Sequence, residues 1–221
     1  MDPTSILAFR PVSWATIVVA YLLGSIPFGL ILAKWVRGVD LRQFGSGNIG
    51  AANAVRAMGR GWGFVAFALD FLKGWAPVFF AAHFAHEEVQ RLPLLMVLCG
   101  TAAVLGHCFS IYLRFRGGKG VATGCGAIVA INPLIFVAGG VVWLITVLTT
   151  RYVGFASIMM GVTFPIATWF LVGESERALL IGAVLLTVLI LIRHRSNLQR
   201  MMAGTEPRAG EKRPHPARPH G

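Results

Sequence analysis

The chain has 221 residues, of which 56% are hydrophobic and only 13% charged, and it carries a formal net charge of +11. A soluble domain usually holds about 25% charged residues, so an ordinary soluble domain is excluded. The apolar surplus comes in runs long enough to cross a bilayer. The cations stand between those runs and in the tail, as membrane topology predicts rather than nucleic-acid binding.

The first apolar run, residues 14–33, is too long for a signal-peptide core and has no basic segment before it, so it reads as a retained helix. Then comes GSGNIGAAN (45–53). Its first six letters fit the dinucleotide pattern G-x-G-x-x-G, but that pattern needs a preceding β-strand, and an apolar run of lipid length stands there instead. Further apolar runs cover 61–82 and 92–109. Inside the first of these, Asp70 and Lys73 lie three apart on one helix face, where an unpaired charge costs roughly 2.5–3.5 kcal/mol. A mutual ion pair that ties helices together is the expected arrangement. His83, His86 and Glu87 have the spacing of a zinc set but fall at a helix end and read as an interfacial loop. His107 closes an apolar run and reads as a structural histidine.

A second glycine cluster, FRGGKG (115–120), lacks the Walker spacing to a first glycine, and Gly120 stands where Ser or Thr would hold Mg²⁺. The run over 121–149 is interrupted at Asn132-Pro133, where proline removes a donor and disfavours helix at the residue before it. Runs over 153–172 and 178–192 follow, then RHRSN (193–197), Arg200 and GTE (204–206). Residues 1–206 therefore read as one transmembrane domain. Residues 207–221, a basic mixture of Pro, Arg, His and Gly, read as a disordered tail. Cys99, Cys108 and Cys125 lie in or beside apolar runs without a C-x-x-C pair and read as inert buried thiols.

Charge chooses between six and seven crossings. If the run at 121–149 is two short crossings, one side collects sixteen Lys/Arg and the other only Arg10, Arg91 and Arg177, together with Glu87, Glu88, Glu174 and Glu176. The expected fold is thus an all-α bundle of about seven helices, with the N-terminus outside and the C-terminus cytoplasmic. The segment 121–131 covers only about 17 Å of a roughly 30 Å core, so it is re-entrant or sits where the protein or bilayer is thin.

Three polar clusters, far apart in sequence, thereby meet on the cytoplasmic face. Glycines let backbone N–H groups approach an anion and Arg or Lys supplies charge, so two glycine loops suit two phosphate groups. Only nine acidic residues occur, without D-x-x-D or D-x-D spacing, so a Mg²⁺-dependent phosphotransferase is not expected and no metal or cofactor is assigned. No Ser-His-Asp set is legible, and no His is followed five residues later by Asp. A small transporter or headgroup-binding protein is the alternative. It suits the chain less well, because transporters carry polar sites at the midplane in repeated halves, and no second half echoes the first.

GSGNIGAANAVR (45–56), GHCFSIYLRFRGGKGVAT (106–123) and RHRSNLQRMMAGTE (193–206) resemble the three motifs of the bacterial acyl-phosphate:glycerol-3-phosphate acyltransferase family. LDFLKG (69–74) and RYV (151–153) also fall where that family has them. The resemblance implies a seven-helix enzyme of the bacterial inner membrane that acylates the 1-hydroxyl of glycerol 3-phosphate from acyl phosphate, without metal or covalent intermediate. By motif match Ser46, Arg56, Lys119 and His194 would be the catalytic set. They would share substrate binding with Gly47, Asn48, Gly50, Asn53, Gly117, Gly118, Gly120, Asn197 and Glu206. Ser157 would meet the acyl-phosphate headgroup. The implied partners are glycerol 3-phosphate, acyl phosphate and the bilayer, with the protein a monomer and no nucleic acid involved. Ala52 stands where the family usually has Thr, and Ser110 where it usually has Pro.

Overall fold

The computed structural model of the chain describes residues 9–85, 87, 91–173 and 177–211. Among them the regular structure is helical: α1 (Pro11–Ser25), α2 (Phe28–Arg37), α3 (Ala51–Met58), α4 (Arg60–Phe84), α5 (Leu92–Cys108), α6 (Val121–Ile131), α7 (Pro133–Thr150), α8 (Val153–Val172), α9 (Arg177–Arg193) and α10 (Arg195–Met202). Two short 3-10 turns, Leu41–Gln43 and Ile111–Leu113, sit in the loops. Five segments are long and apolar enough to cross a membrane, and α9 with α10, bent by 49°, makes a sixth. The protein is an all-helical, multi-pass membrane protein. His86, Glu88, Glu174, Glu176 and residues 212–221 lie outside the described residues, and so do the topology and tail readings that use them.

The break expected at Asn132-Pro133 is present. Asn132 is extended and its side chain accepts from the Leu134 N–H, capping α7 while Pro133 opens it. α6 is consequently only 11 residues long. The first apolar run, by contrast, is not one continuous helix. Pro27 has no N–H to give, and Ile26 before it is extended, so α1 stops at Ser25 and α2 begins afresh at Phe28. The carbonyls released there find partners on other segments. Ser110 Oγ donates to Ser25 O at 2.6 Å and Lys73 Nζ to Ile26 O at 2.7 Å. A proline at position 110 could not make the first of these bonds.

Lys73 also pairs with Asp70 at 2.8 Å, both side chains being buried. The ion pair expected from the sequence is therefore real and lies within α4, while the tie between helices is the lysine's bond to the α1 break. α4 and α6 pack backbone to backbone through reciprocal glycines. A Cβ on Gly74 would lie 1.9 Å from Thr123 O, and one on Gly126 would lie 2.0 Å from Phe71 O. This contact and that of α1 against α5 centre the bundle, with α9 packed on α5 and α8 packed between α7 and α9.

Candidate functional site

The first glycine loop is organised from inside. Asn53, on α3 and only 1% exposed, accepts from the Ser46 N–H at 3.1 Å. Its Nδ2 donates to the carbonyls of Leu41, Phe44 and Asn48 at 3.0, 2.8 and 2.8 Å. Asn48 Oδ1 in turn accepts from the Gly50 N–H, and the Gly47 N–H reaches Phe44 O. Ser46 is left exposed at the loop's surface. Asn53, expected among the substrate contacts, has its amide engaged by the loop and sets that loop's shape.

The second loop folds back onto the end of α5. The carbonyls of His107 and Cys108 belong to that helix's last turn, where no intrahelical donor follows. They accept from the N–H groups of Gly118 and Gly117 at 3.0 and 3.1 Å. Arg114 and Phe115, at φ 51° and 62°, reverse the chain in the left-handed region. A Cβ on Gly118 would lie 2.2 Å from His107 Nε2, so no side chain fits there. The N–H groups of Gly47, Gly50, Gly117 and Gly118, expected to approach an anion, all have partners within the protein. Those donors are held by carbonyls and by Asn48, and at Gly117 and Gly118 the missing Cβ also lets the loop pack closely on the end of α5. Gly120, at φ +77°, instead starts α6, whose first turn points its unpaired N–H groups and positive end beside Lys119.

The third motif forms the corner between α9 and α10 and grips the second loop from two sides. Arg193 donates from Nε to Gly118 O at 3.0 Å, and from a terminal nitrogen to Gly117 O and Gly118 O at 2.9 and 2.7 Å. Its guanidinium lies over the Phe109 ring. Lys119 Nζ donates to Asn197 Oδ1, Asn197 Nδ2 to Glu206 Oε1 at 2.6 Å, and Arg200 Nε to Glu206 Oε2 at 2.7 Å. Lys119, Asn197, Glu206 and Arg200 thus form one continuous chain. Glu206, expected among the substrate contacts, is buried and holds the Asn197 and Arg200 side chains. Arg193 and Arg200 had no assigned role in the sequence reading. Arg193 stood inside a quoted motif, but which carbonyls it grips depends on the corner angle.

Burial and the charges of Arg200, Arg193 and Arg56 lower Lys119 to about 8, against the opposing pull of Glu206. His194, 2% exposed at the first position after α9, is lowered to about 4, chiefly by burial and then by the Lys119 charge. It is neutral at pH 7. Its Nδ1 lies 2.8 Å from Ile190 O, which fixes the proton on Nδ1 and leaves the Nε2 lone pair as an acceptor. Arg56 ends α3 within electrostatic reach of Lys119. A Cβ on Gly154 would lie 2.5 Å from Asn197 Nδ2, so the start of α8 sits against the site. Ser157, expected to meet the acyl-phosphate headgroup, lies one turn on, is buried and donates to Val153 O at 2.9 Å. Residues 207–211, expected within the tail, cross the α7–α8 turn: the Ala209 N–H reaches Arg151 O at 2.7 Å, and Arg208 lies over Tyr152.

Below the second loop an apolar cavity of about 280 Å³ runs between α5, α6, α8 and α9. Val104 lines it, and Val104 Cγ1 lies 2.9 Å from where a Gly120 Cβ would stand. Val104 thus packs the start of α6 against one wall of the groove.

The family pattern of glycerol-3-phosphate acyltransferases matches residues 14–204. A glycerol-3-phosphate acyltransferase of Geotalea daltonii is 44% identical over 192 residues, covering 86% of this chain and 94% of that protein. One of Aquifex aeolicus is 40% identical over 195 residues, covering 87% and 96%. Among solved structures, the glycerol 3-phosphate form of the integral membrane acyltransferase PlsY superposes with a TM-score of 0.82 at 39% identity, covering 90% of this chain and 96% of that one. Its lysophosphatidic acid form gives 0.80 at 38% identity over the same shares.

Proposed function

The chain belongs to the glycerol-3-phosphate acyltransferase family, and we propose that it acylates the 1-hydroxyl of glycerol 3-phosphate from acyl phosphate, at the cytoplasmic face of the inner membrane. The observation that carries this reading is the union of the second and third motifs, Lys119 bonded to Asn197 and Arg193 to the carbonyls of Gly117 and Gly118, with Arg56 of the first motif within electrostatic reach of Lys119. Arg56, Lys119 and the α6 N-terminus supply positive charge for phosphorylated substrates in this reading, and Ser46 on the first loop supplies a hydroxyl.

The chemistry asks little more. The glycerol hydroxyl oxygen attacks the acyl carbon, a new C–O ester bond forms, and the bond from the acyl carbon to the phosphate oxygen breaks. Phosphate leaves and lysophosphatidic acid remains. Acyl phosphate is a mixed anhydride with a good leaving group, so neutralising the two phosphates and aiming the hydroxyl supplies the catalysis. Lys119 and Arg56 hold phosphate, the lysine as a point charge and the arginine through its fork of donors. His194 accepts a hydrogen bond at Nε2 and orients the glycerol, and the departing phosphate takes up the proton. Seven crossings, α6 and α9 included, put the loops on the side of the sixteen cations.

Purified protein supplied with palmitoyl phosphate and radiolabelled glycerol 3-phosphate should release phosphate and labelled lysophosphatidic acid in equal amounts. Binding of glycerol 3-phosphate without product would favour the transporter or headgroup-binding alternative.

A further inference from the structure

The second glycine loop rests on a side chain that the chemistry above leaves unused. His107, in the last turn of α5, is 3% exposed. Its Nδ1 lies 3.8 Å from Asp70 Oδ1, too far for a hydrogen bond, and has no hydrogen-bond partner among the described residues. A buried polar atom without a partner destabilises the fold, so a histidine kept only to fill the core would serve less well than an apolar side chain. Another edge of the ring faces the loop. A Cβ on Gly118 would meet His107 Nε2 at 2.2 Å and the two ring carbons beside it at 3.1 Å each.

The ring has little room to move. Beside it Asp70 pairs with Lys73 at 2.8 Å, and Lys73 Nζ donates to Ile26 O at the α1 break at 2.7 Å. Asp70 and Lys73 are themselves buried. The backbone of His107 is engaged as well, its carbonyl accepting from the Gly118 N–H at 3.0 Å. One residue therefore holds Gly118 twice, by its carbonyl and by its ring. Gly118 is joined directly to Lys119, with about 3.8 Å between their Cα atoms. A displacement of Gly118 is thus passed to the lysine that bonds Asn197.

We infer that His107 is a positioning residue: its imidazole, backed by the Asp70–Lys73 pair, is the seat that sets the place of Gly118 and so of Lys119 at the phosphate site. It acts through the loop and not on the substrate. Its effect on glycerol 3-phosphate rests on the acyltransferase reading above, whereas the seat itself stands on the packing of ring against loop.

The test is a cycle of paired substitutions, read by KM and kcat for glycerol 3-phosphate with palmitoyl phosphate and, independently, by thermal unfolding in detergent. Gly118→Ala should lower the unfolding temperature and cost about a hundredfold in kcat/KM, the effect of a displacement of about 1 Å. In a His107→Ala background the same change should cost less than about threefold and leave the unfolding temperature in place, because the atoms it would strike are gone. Gly117→Ala is the control. Its Cβ would meet His107 O at 2.0 Å and Cys108 C at 2.9 Å, which are backbone atoms, so its cost should be equal in both backgrounds. Alone, His107→Ala should raise KM for glycerol 3-phosphate about tenfold and change kcat less than about threefold. Glutamine carries an amide where Nε2 lies and asparagine one where Nδ1 lies, so His107→Gln should recover most of that loss and His107→Asn should not. His107→Asn replaces His107→Ala in the cycle if the latter does not fold. An equal cost of Gly118→Ala with and without the imidazole, or recovery by asparagine instead of glutamine, overturns the seat. Wild-type protein that makes no product overturns the functional reading, and the unfolding temperatures alone then decide whether the ring seats the loop.

Discussion

Lys119 and Asn197 are 78 residues apart in the chain and are joined by a hydrogen bond from the lysine Nζ to the asparagine Oδ1. The same asparagine donates to Glu206, and a Cβ on Gly154 would press on it. One side chain therefore ties the phosphate-holding loop to the last helix corner and to the start of α8. Its carboxamide suits the post because it accepts from an ammonium on one side and donates to a carboxylate on the other.

Asn197→Leu should leave Lys119 and the Glu206 carboxylate each short of a partner. A buried polar group without a partner costs about 1–3 kcal/mol, and a loop displaced by about 1 Å costs on the order of a hundredfold in rate. Thermal unfolding in detergent should register the first loss, and kcat/KM for glycerol 3-phosphate the second. A variant with full stability and full activity would remove the tie from the account.

The pH dependence follows from Lys119. Its folded value of about 8 lies below the ordinary 10.5, so between those two values the unfolded chain holds a proton that the folded protein does not. The sign is that this group favours folding more as pH rises through that window. Phosphate binding runs the other way, because the ammonium that binds is lost above about 8. Since kcat/KM reports groups of the free enzyme, kcat/KM for glycerol 3-phosphate should fall as pH rises past about 8. Lys119→Arg should be weaker throughout but should lack this fall, since a guanidinium stays charged. An identical decline in both proteins would assign it elsewhere.

His194 is lowered to about 4, with burial as the main cause, so it does not change charge between pH 6 and 8. His194→Gln keeps a hydrogen-bond acceptor and should retain appreciable kcat while raising KM for glycerol 3-phosphate. The kcat profile should be flat from pH 6 to 7 in both. A general base contributes about 10²–10⁴-fold. A loss at the upper end of that range with KM unchanged, together with a wild-type ionisation near pH 6–7 that the variant lacks, would make His194 the base.

Topology is open to labelling. In a background without Cys99, Cys108 and Cys125, a cysteine replacing exposed Arg116 should be shielded from impermeant thiol reagents added outside intact cells. One replacing exposed Arg177 should react without lysis. The reverse pattern would invert the orientation, and shielding of both would support six crossings.

Much of this architecture was legible because proline, charge and spacing act locally. Asn132-Pro133 ends α6 for reasons contained in two residues, and Asp70 and Lys73 meet because positions three apart share a helix face. What escaped depended on distant partners. Pro27 interrupts a run whose hydropathy alone reads as continuous, and the interruption is stabilised by Ser110 and Lys73 from other segments. The glycine loops are conspicuous in the sequence, yet the direction of the second loop's N–H groups depends on α5 ending in carbonyls that need donors. Asn53, Ser157 and Glu206 look like ligand contacts in a motif, but each has its polar atoms engaged within the protein.

The central claim is that clustered cations and an apolar groove, without metal, carry an acyl group from acyl phosphate to glycerol 3-phosphate. The most direct measurement gives the purified protein glycerol 3-phosphate with either palmitoyl phosphate or palmitoyl-CoA, each with and without EDTA, and quantifies lysophosphatidic acid. The site's anion-holding groups are Arg and Lys, and the chain has only nine acidic residues. The predicted result is rapid product from palmitoyl phosphate, unaffected by EDTA, and little from palmitoyl-CoA. Comparable turnover of the two donors, or activity abolished by EDTA and restored by Mg²⁺, would contradict it.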